Sequence, residues 1–197
     1  ETPEPIRAVD YEQAEKHQMR SAPETLQLTP GVFVQKTNHG GGSPVIRGLT
    51  GNQTLLLIDG IRLSNATYRY GPNQYLNTID ILGAEKIEVL RGSGSVQYGS
   101  DALGGTVQVF ARDVALSDKP LWNGTLLTRI ATYNMEQSLH GDLGFSMGKA
   151  AFRAGVTARN FGDIVGGDTT GKQSPTGYQE IDFDIRGKVK LSQSGEL

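Results

Sequence analysis

Strict two-residue alternation fills the chain after about Leu116 and limits what that part can become. Leu139, Gly141, Leu143, Phe145 and Met147 alternate with His140, Asp142, Gly144, Ser146 and Gly148. Phe152, Ala154, Val156 and Ala158 alternate with Arg153, Gly155, Thr157 and Arg159. Ile181, Phe183, Ile185, Val189 and Leu191 alternate with Asp182, Asp184, Arg186, Lys188 and Lys190, and a less regular run spans residues 125–133. Successive strand side chains point to opposite faces, so each segment predicts a strand with one apolar and one polar face. Four such segments of about ten residues, separated by a tight turn, a Gly-containing turn and a longer loop, suit a soluble sandwich with its polar face in water. The polar face is also Gly-rich and mixed in charge, which suits the wet lumen of a transmembrane β-barrel equally well. Strands of this length and period are that barrel's signature, although each one is weak alone. Four cannot close a barrel, because the smallest membrane barrels need about eight. On the membrane reading the chain is a fragment.

Composition removes other classes. The 197 residues include no cysteine, which excludes disulfide frameworks, Cys-based zinc sites and thiol nucleophiles. A net charge of −2 supplies no basic excess for phosphates, so no nucleic-acid partner is expected. Residues 1–112 carry 10 basic and 11 acidic side chains and residues 113–197 carry 9 and 10, so neither half is an electrostatic tail. The longest aliphatic run, Leu55-Leu56-Leu57-Ile58, is far short of the roughly 18 residues of a membrane helix. No signal peptide precedes Glu1, which reads as a mature or a trimmed start.

The first half is organised differently. Residues 1–20 are rich in Pro, Glu and Lys and read as a flexible N-terminal arm. Ser21-Ala22-Pro23-Glu24 is a capping box, predicting a short helix to about Thr29 that Pro30-Gly31 stops. Strands are expected at residues 32–35, 44–48, 86–90 and 106–110, with a short helix near residues 78–82. Asp59-Gly60 between Leu55–Ile58 and Ile61-Arg62-Leu63 predicts a two-residue hairpin turn, since both central positions must tolerate positive φ. Residues 38–43 read as a mobile loop.

No enzyme constellation emerges. Gly166-Gly167-Asp168-Thr169-Thr170-Gly171-Lys172 matches seven places of a phosphate-binding loop, but Gln173 lacks the hydroxyl for Mg²⁺ and the segment links two strands. Gly92-Ser93-Gly94 lacks the third glycine of a dinucleotide loop. Sequons beginning at Asn52, Asn65 and Asn123 matter only in a eukaryotic secretory setting that nothing else supports. His17, His39 and His140 lie far apart with no Ser–Asp arrangement nearby, and Asp80, Glu85 and Glu88 read as charges around a helix-to-strand transition.

Five segments stand in a telling order: Thr29-Pro30-Gly31-Val32, Ile46-Arg47-Gly48, Leu57-Ile58-Asp59-Gly60-Ile61-Arg62-Leu63, Ile87-Glu88-Val89-Leu90-Arg91-Gly92, and Tyr98-Gly99-Ser100-Asp101-Ala102-Leu103-Gly104-Gly105. Together they resemble the plug domain of TonB-dependent outer-membrane receptors, over about residues 20–112, and look most like its haem- and siderophore-type members. The resemblance implies an arm (1–20), an α+β plug with a small mixed sheet (21–115), and the first four antiparallel strands of a 22-stranded barrel (121–197). It implies ligand-gated, TonB-energised uptake of a scarce nutrient across a Gram-negative outer membrane, with no enzymatic activity. The plug would lie in the barrel lumen, its arm facing the periplasm, with TonB and outer-membrane lipid as partners. The ligand would be haem or a ferric siderophore, carried as cargo, with no resident metal. A ligand-sensing or signalling module without transport is the alternative. The family's TonB-pairing box is not recognisable in residues 1–10; it lies upstream of Glu1 or in a divergent version here.

Residue by residue, Arg47 and Arg91 match two plug arginines that pair with barrel glutamates, guanidinium forks suiting carboxylates bidentately. Solvated strand-end arginines remain the plain alternative. Three loops match apical, ligand-facing positions, residues 37–43, 49–53 and 66–75, giving His39, Asn52, Tyr68, Arg69, Tyr70 and Asn73 as candidate ligand contacts. Tyrosines and an arginine suit an amphipathic, planar or anionic ligand. His39 with Tyr68 or Tyr70 could ligate haem iron, and packing of the rings beneath the loop is the competing expectation.

Overall fold

A computed structural model describes residues 6–36, 38–63, 75–167, 169–192 and 195–196, in two compact units, residues 1–112 and 113–197. Tyr68, Arg69, Tyr70 and Asn73 lie outside the described residues.

In the first unit, strands β1 (Ile6–Asp10), β2 (Val32–Lys36), β3 (Gly42–Ile46), β4 (Thr54–Ile58), β5 (Ile61–Arg62), β6 (Ala84–Arg91) and β7 (Gly105–Ala111) are joined by helices α1 (Tyr11–Lys16), α2 (Ala22–Thr25) and α3 (Ser95–Tyr98). Five strands form a mixed sheet in the order β1-β6-β7-β4-β5, in which only β4 and β7 run parallel. The hairpin β2–β3 stands apart as its own two-stranded sheet. Leu55, Leu56 and Leu57 are all buried, as expected of a central strand covered on both faces. Ile87, Val89, Val107 and Val109 supply the middle of the same core. The β4–β5 turn has φ of 48° at Asp59 and 79° at Gly60, the type I′ geometry predicted for it. Gly104 and Gly105 are needed for packing: a Cβ on Gly104 would sit 2.7 Å from the Leu49 Cβ, and one on Gly105 would run into the Leu90 carbonyl.

Residues 1–20 were expected as a loose arm, and residues 6–16 are not. β1 pairs antiparallel with β6 from Ile6↔Leu90 to Asp10↔Lys86. Asp10 then caps α1 by accepting from the Gln13 amide at 2.8 Å, and Arg112 lies over the Tyr11 ring at 4.4 Å. Only Val9 of β1 is buried, so an edge strand with one inward anchor leaves little trace in composition. At the next cap, Ser21 accepts from Glu24 N–H as expected, but Glu24 reaches one residue further back, to the Arg20 amide at 2.7 Å.

The second unit is an antiparallel sheet of four long strands, β8 (Leu121–Ala131), β9 (Glu136–Met147), β10 (Ala150–Phe161) and, after a small hairpin, β13 (Tyr178–Ser192). The hairpin strands are β11 (Ile164–Val165) and β12 (Lys172–Gln173), and the short β14 (Gly195–Glu196) folds back on β13. Among the described residues no helix is long and apolar enough to cross a membrane.

Candidate functional site

Register turns this second sheet into rows with a definite sense. On one face the pairing aligns Trp122, Phe145 and Phe152 in one row, Gly124, Leu143, Ala154 and Ile185 in another, and Leu126, Gly141, Val156 and Phe183 in the next. This is the exposed face: Leu126, Phe183 and Ile185 are each at least 75 % exposed. The opposite face is ionic and sheltered, with His140 and Thr157 at most 1 % exposed. The polarity of a water-soluble sheet is thus inverted.

On the sheltered face the ion pairs are chained. Arg153 Nε donates to Asp142 Oδ1 at 3.0 Å, and His140 Nε2 lies 3.3 Å from Asp142 Oδ2 while its Nδ1 meets Thr157 Oγ1 at 2.7 Å. Arg153 Nη1 also faces Asp184 at 3.7 Å, and Arg159 pairs with Glu180 at 3.0 Å. Polar rows on one face and apolar rows on the other match a wall between water and lipid. The exposed face is banded accordingly. The Trp122–Phe145–Phe152 row lies toward the tight β9–β10 turn, while the row at the other end holds Ile130 on β8 and then three amides, Gln137, Asn160 and Gln179. From Gln137 to Met147 the strand runs about 33 Å, or roughly 25 Å along a membrane normal at a ~40° tilt, the height of an outer-membrane apolar band.

The loop between β10 and β13 is pinned at its base. Asp163 accepts from the amides of Thr176 at 2.8 Å and Gly177 at 2.9 Å, with Lys172 at 3.3 Å. These backbone donors hold the Asp163 carboxyl at about 2. A carboxyl depressed in the folded state adds stability above its ordinary value near 4 and loses it as pH falls toward 2. We therefore expect the protection of the Thr176 and Gly177 amides, taken relative to free-peptide exchange at the same pH, to be high above about pH 4 and to fall as pH approaches 2. Asp163→Asn should keep the protection and remove its dependence on pH. At the opposite end, the Lys188 ammonium, 2.7 Å from Asp113, lowers that carboxyl and fastens the segment leading into β8.

In the first unit the structure sets Arg47 beside Gly92, the residue that follows Arg91, while Arg91 reaches toward Pro30 and Gly31. Ile46 and Leu49 exchange two backbone hydrogen bonds at 2.9 Å across a tight turn, with φ of 54° at Arg47 and 81° at Gly48. A Cβ on Gly92 would lie 3.3 Å from Arg47 Nη1, which places that guanidinium beside the residue following Arg91. Arg91 Nη1 donates to the Pro30 carbonyl at 2.7 Å over Gly31, while its buried Nε has no hydrogen-bond partner among the described residues. Among the described residues neither arginine pairs with a carboxylate. Asn52 is half-buried in the 3₁₀ turn Gly51–Gln53. His39 departs from its expected role as an apical, iron-facing ligand. Its side chain is 7 % exposed and its Nδ1 accepts from Arg20 Nη1 at 3.1 Å, a cationic neighbour that opposes metal binding at that nitrogen. No group of three or more His, Asp or Glu suited to a metal occurs among the described residues.

The inner chain of ion pairs was readable in part beforehand. Along β13 one face reads Glu180, Asp182, Asp184, Arg186, Lys188, Lys190, three acids followed by three bases. The amide row carried no such signal, because it exists only in the cross-strand register.

Comparison with known proteins agrees with this architecture. A family model described as the TonB-dependent Receptor Plug Domain matches residues 1–106. The vitamin B12 transporter BtuB of Photobacterium profundum is 37 % identical over 106 residues, 53 % of this chain and 17 % of that protein. An iron-regulated outer membrane virulence protein of Vibrio cholerae serotype O1 is 34 % identical over 147 residues, 71 % of this chain and 21 % of that one. Among solved structures the copper transporter OprC superposes with a TM-score of 0.78 at 17 % identity, over 95 % of this chain and 28 % of its own. The siderophore receptor PirA from Acinetobacter baumannii gives 0.71 at 19 %, over 95 % and 29 %. These structural likenesses speak for the fold: a plug sheet followed by the opening strands of a barrel. The chain spans about a fifth of the length of the two curated relatives.

Proposed function

The chain belongs to the TonB-dependent receptors and carries their plug domain, and from that premise we propose that it is the N-terminal part of a gated importer in a Gram-negative outer membrane. The plug closes the lumen of a barrel that β8, β9, β10 and β13 begin, and TonB loosens it from the periplasmic side. The cargo is haem or a ferric siderophore, with the apical loops, including Asn52 and the segment bearing Tyr68, Arg69, Tyr70 and Asn73, as its first contacts. One observation carries the reading: the exposed side of the second sheet is apolar and its sheltered side is ionic. Relatives named for vitamin B12 transport and iron regulation, and fold neighbours named as siderophore and copper transporters, support nutrient uptake. The iron-regulated relative, matched over 71 % of this chain, weights the cargo toward iron.

Arg47 and Arg91 fasten the plug. Among the described residues neither guanidinium has a carboxylate partner, and each offers a fork that a barrel carboxylate can bind bidentately. The test is growth of iron-starved cells on haem or a ferric siderophore with the complete receptor, with and without TonB. Growth should need both, and receptor-dependent growth that ignores TonB would overturn the proposal. In the same cells, Arg47→Ala with Arg91→Ala should leave insertion intact, admit large antibiotics passively and reduce uptake. Unchanged uptake and no leak would remove the two arginines from that role.

A further inference from the structure

The exposed face of the second sheet has two adjoining depressions whose chemistry differs. One, of about 550 Å³, is lined by Gln137, Ala158, Asn160, Gln179 and Ile181 and borders Arg159 and Glu180. The other, of about 540 Å³, is apolar and lies around Gly141, between Leu126, Val156, Phe183 and Ile185. Register makes them neighbours: the Thr128–Leu139–Ala158–Ile181 row lies directly between the amide row and the Gly141 row.

The amides are only partly used. Gln137 Nε2 donates to Asn134 Oδ1 at 2.7 Å and Gln179 Nε2 to Asn160 Oδ1 at 3.4 Å. The Gln137 and Gln179 oxygens and the Asn160 nitrogen make no hydrogen bond among the described residues. Directly above, the turn between β8 and β9 holds Tyr133 at 82 % exposure, with φ of 57° there and 58° at Asn134. At this edge of the apolar band the three amides stand at headgroup depth, where polar groups of a lipid can meet the donors and acceptors they leave over.

We propose that this row and the apolar depression beneath it bind one glycolipid of the outer leaflet, its sugar headgroup on Gln137, Asn160 and Gln179 and an acyl chain over Gly141. Amides offer donors and acceptors together, as sugar hydroxyls do; a phosphate only accepts and an ammonium only donates. Gly141 leaves the acyl depression open because its neighbours across the sheet, Leu126, Val156 and Phe183, are not met by a fourth side chain. The leaflet follows from the loops. Outer-membrane barrels place short turns at the periplasm and longer loops outside. The amide row lies at the end with the 16-residue β10–β13 connection, residues 162–177, opposite the tight β9–β10 turn.

The inference rests on the membrane-wall reading, and the test separates the two. The complete receptor is purified from outer membranes and reconstituted in phosphatidylethanolamine vesicles containing rough lipopolysaccharide as the probe, phosphatidylglycerol, or an equal mixture of the two. Retained lipopolysaccharide per receptor is measured after detergent exchange, and heat-modifiable gel mobility reports a folded barrel. The wild type should retain lipopolysaccharide in preference to phosphatidylglycerol. Gln137→Leu with Asn160→Leu and Gln179→Leu should lower retention at least fivefold with the folded band intact. Gly141→Leu tests the acyl half independently, since a Cβ there meets Leu126 Cδ1 at an ordinary 3.7 Å; it should lower retention as well. Equal retention by wild type and both variants, or a preference for phosphatidylglycerol, overturns the glycolipid site while the folded band keeps the wall reading. Absence of that band in the wild type overturns both.

Discussion

Asp142→Ala should destabilise the folded receptor by about 3–5 kcal/mol, the usual cost of stranding one partner of a buried ion pair. Asp142 receives the Arg153 Nε at 3.0 Å and faces the His140 Nε2 at 3.3 Å, and the three side chains are at most 5 % exposed. Arg153 makes no hydrogen bond through Nη1 or Nη2 among the described residues. Its remaining acid, Asp184, is 3.7 Å away and 36 % exposed, so it cannot replace Asp142 at full strength. The double variant Asp142→Ala with Arg153→Met removes the stranded charge and should recover most of the loss, because a buried pair is often no better than well-packed apolar groups. Denaturant unfolding of the four proteins in a double-mutant cycle measures the coupling. Additive losses would mean that Arg153 and Asp142 are solvated independently and that the sheltered face is wet throughout.

The legible and illegible parts of this chain divide along a physical line. Local chemistry was readable: Ser21 as a cap, Asp59-Gly60 as a turn, and the alternation that gives β9, β10 and β13. What alternation cannot give is the sense of the sheet. His140 on one side and Leu139 on the other suit a soluble sandwich and a barrel wall alike, and only exposure separates them. β1 was hidden because an edge strand with Val9 as its one buried residue has no period to detect. His39 was misplaced for a related reason. A histidine among glycines reads as a loop tip, whereas its environment is set by Arg20, nineteen positions away. Arg47 and Arg91 stand out in the sequence only through their surrounding motifs, and the fold adds that Arg47 reaches the residue following Arg91.

Phe183→Arg decides the sense of the sheet outright. Phe183 is 78 % exposed and stands near the middle of the apolar band, in the row with Leu126, Gly141 and Val156. On a water-soluble sheet, replacing so exposed a ring by arginine would change stability within about ±0.5 kcal/mol. On a lipid-facing wall the arginine must be desolvated or drawn to the interface, at a cost of about 2–4 kcal/mol at the bilayer midplane. The cost should also depend on depth. Gln179→Arg, in the Gln137 row, and Val189→Arg, in the Met147 row, stand at the two ends of the band and should each fall near 0–1 kcal/mol because the charge reaches headgroups. Unfolding free energies of the complete receptor in lipid vesicles give the profile directly. Three equal values near zero would show that β13 presents its apolar side to protein or water, and the wall reading would fail with them.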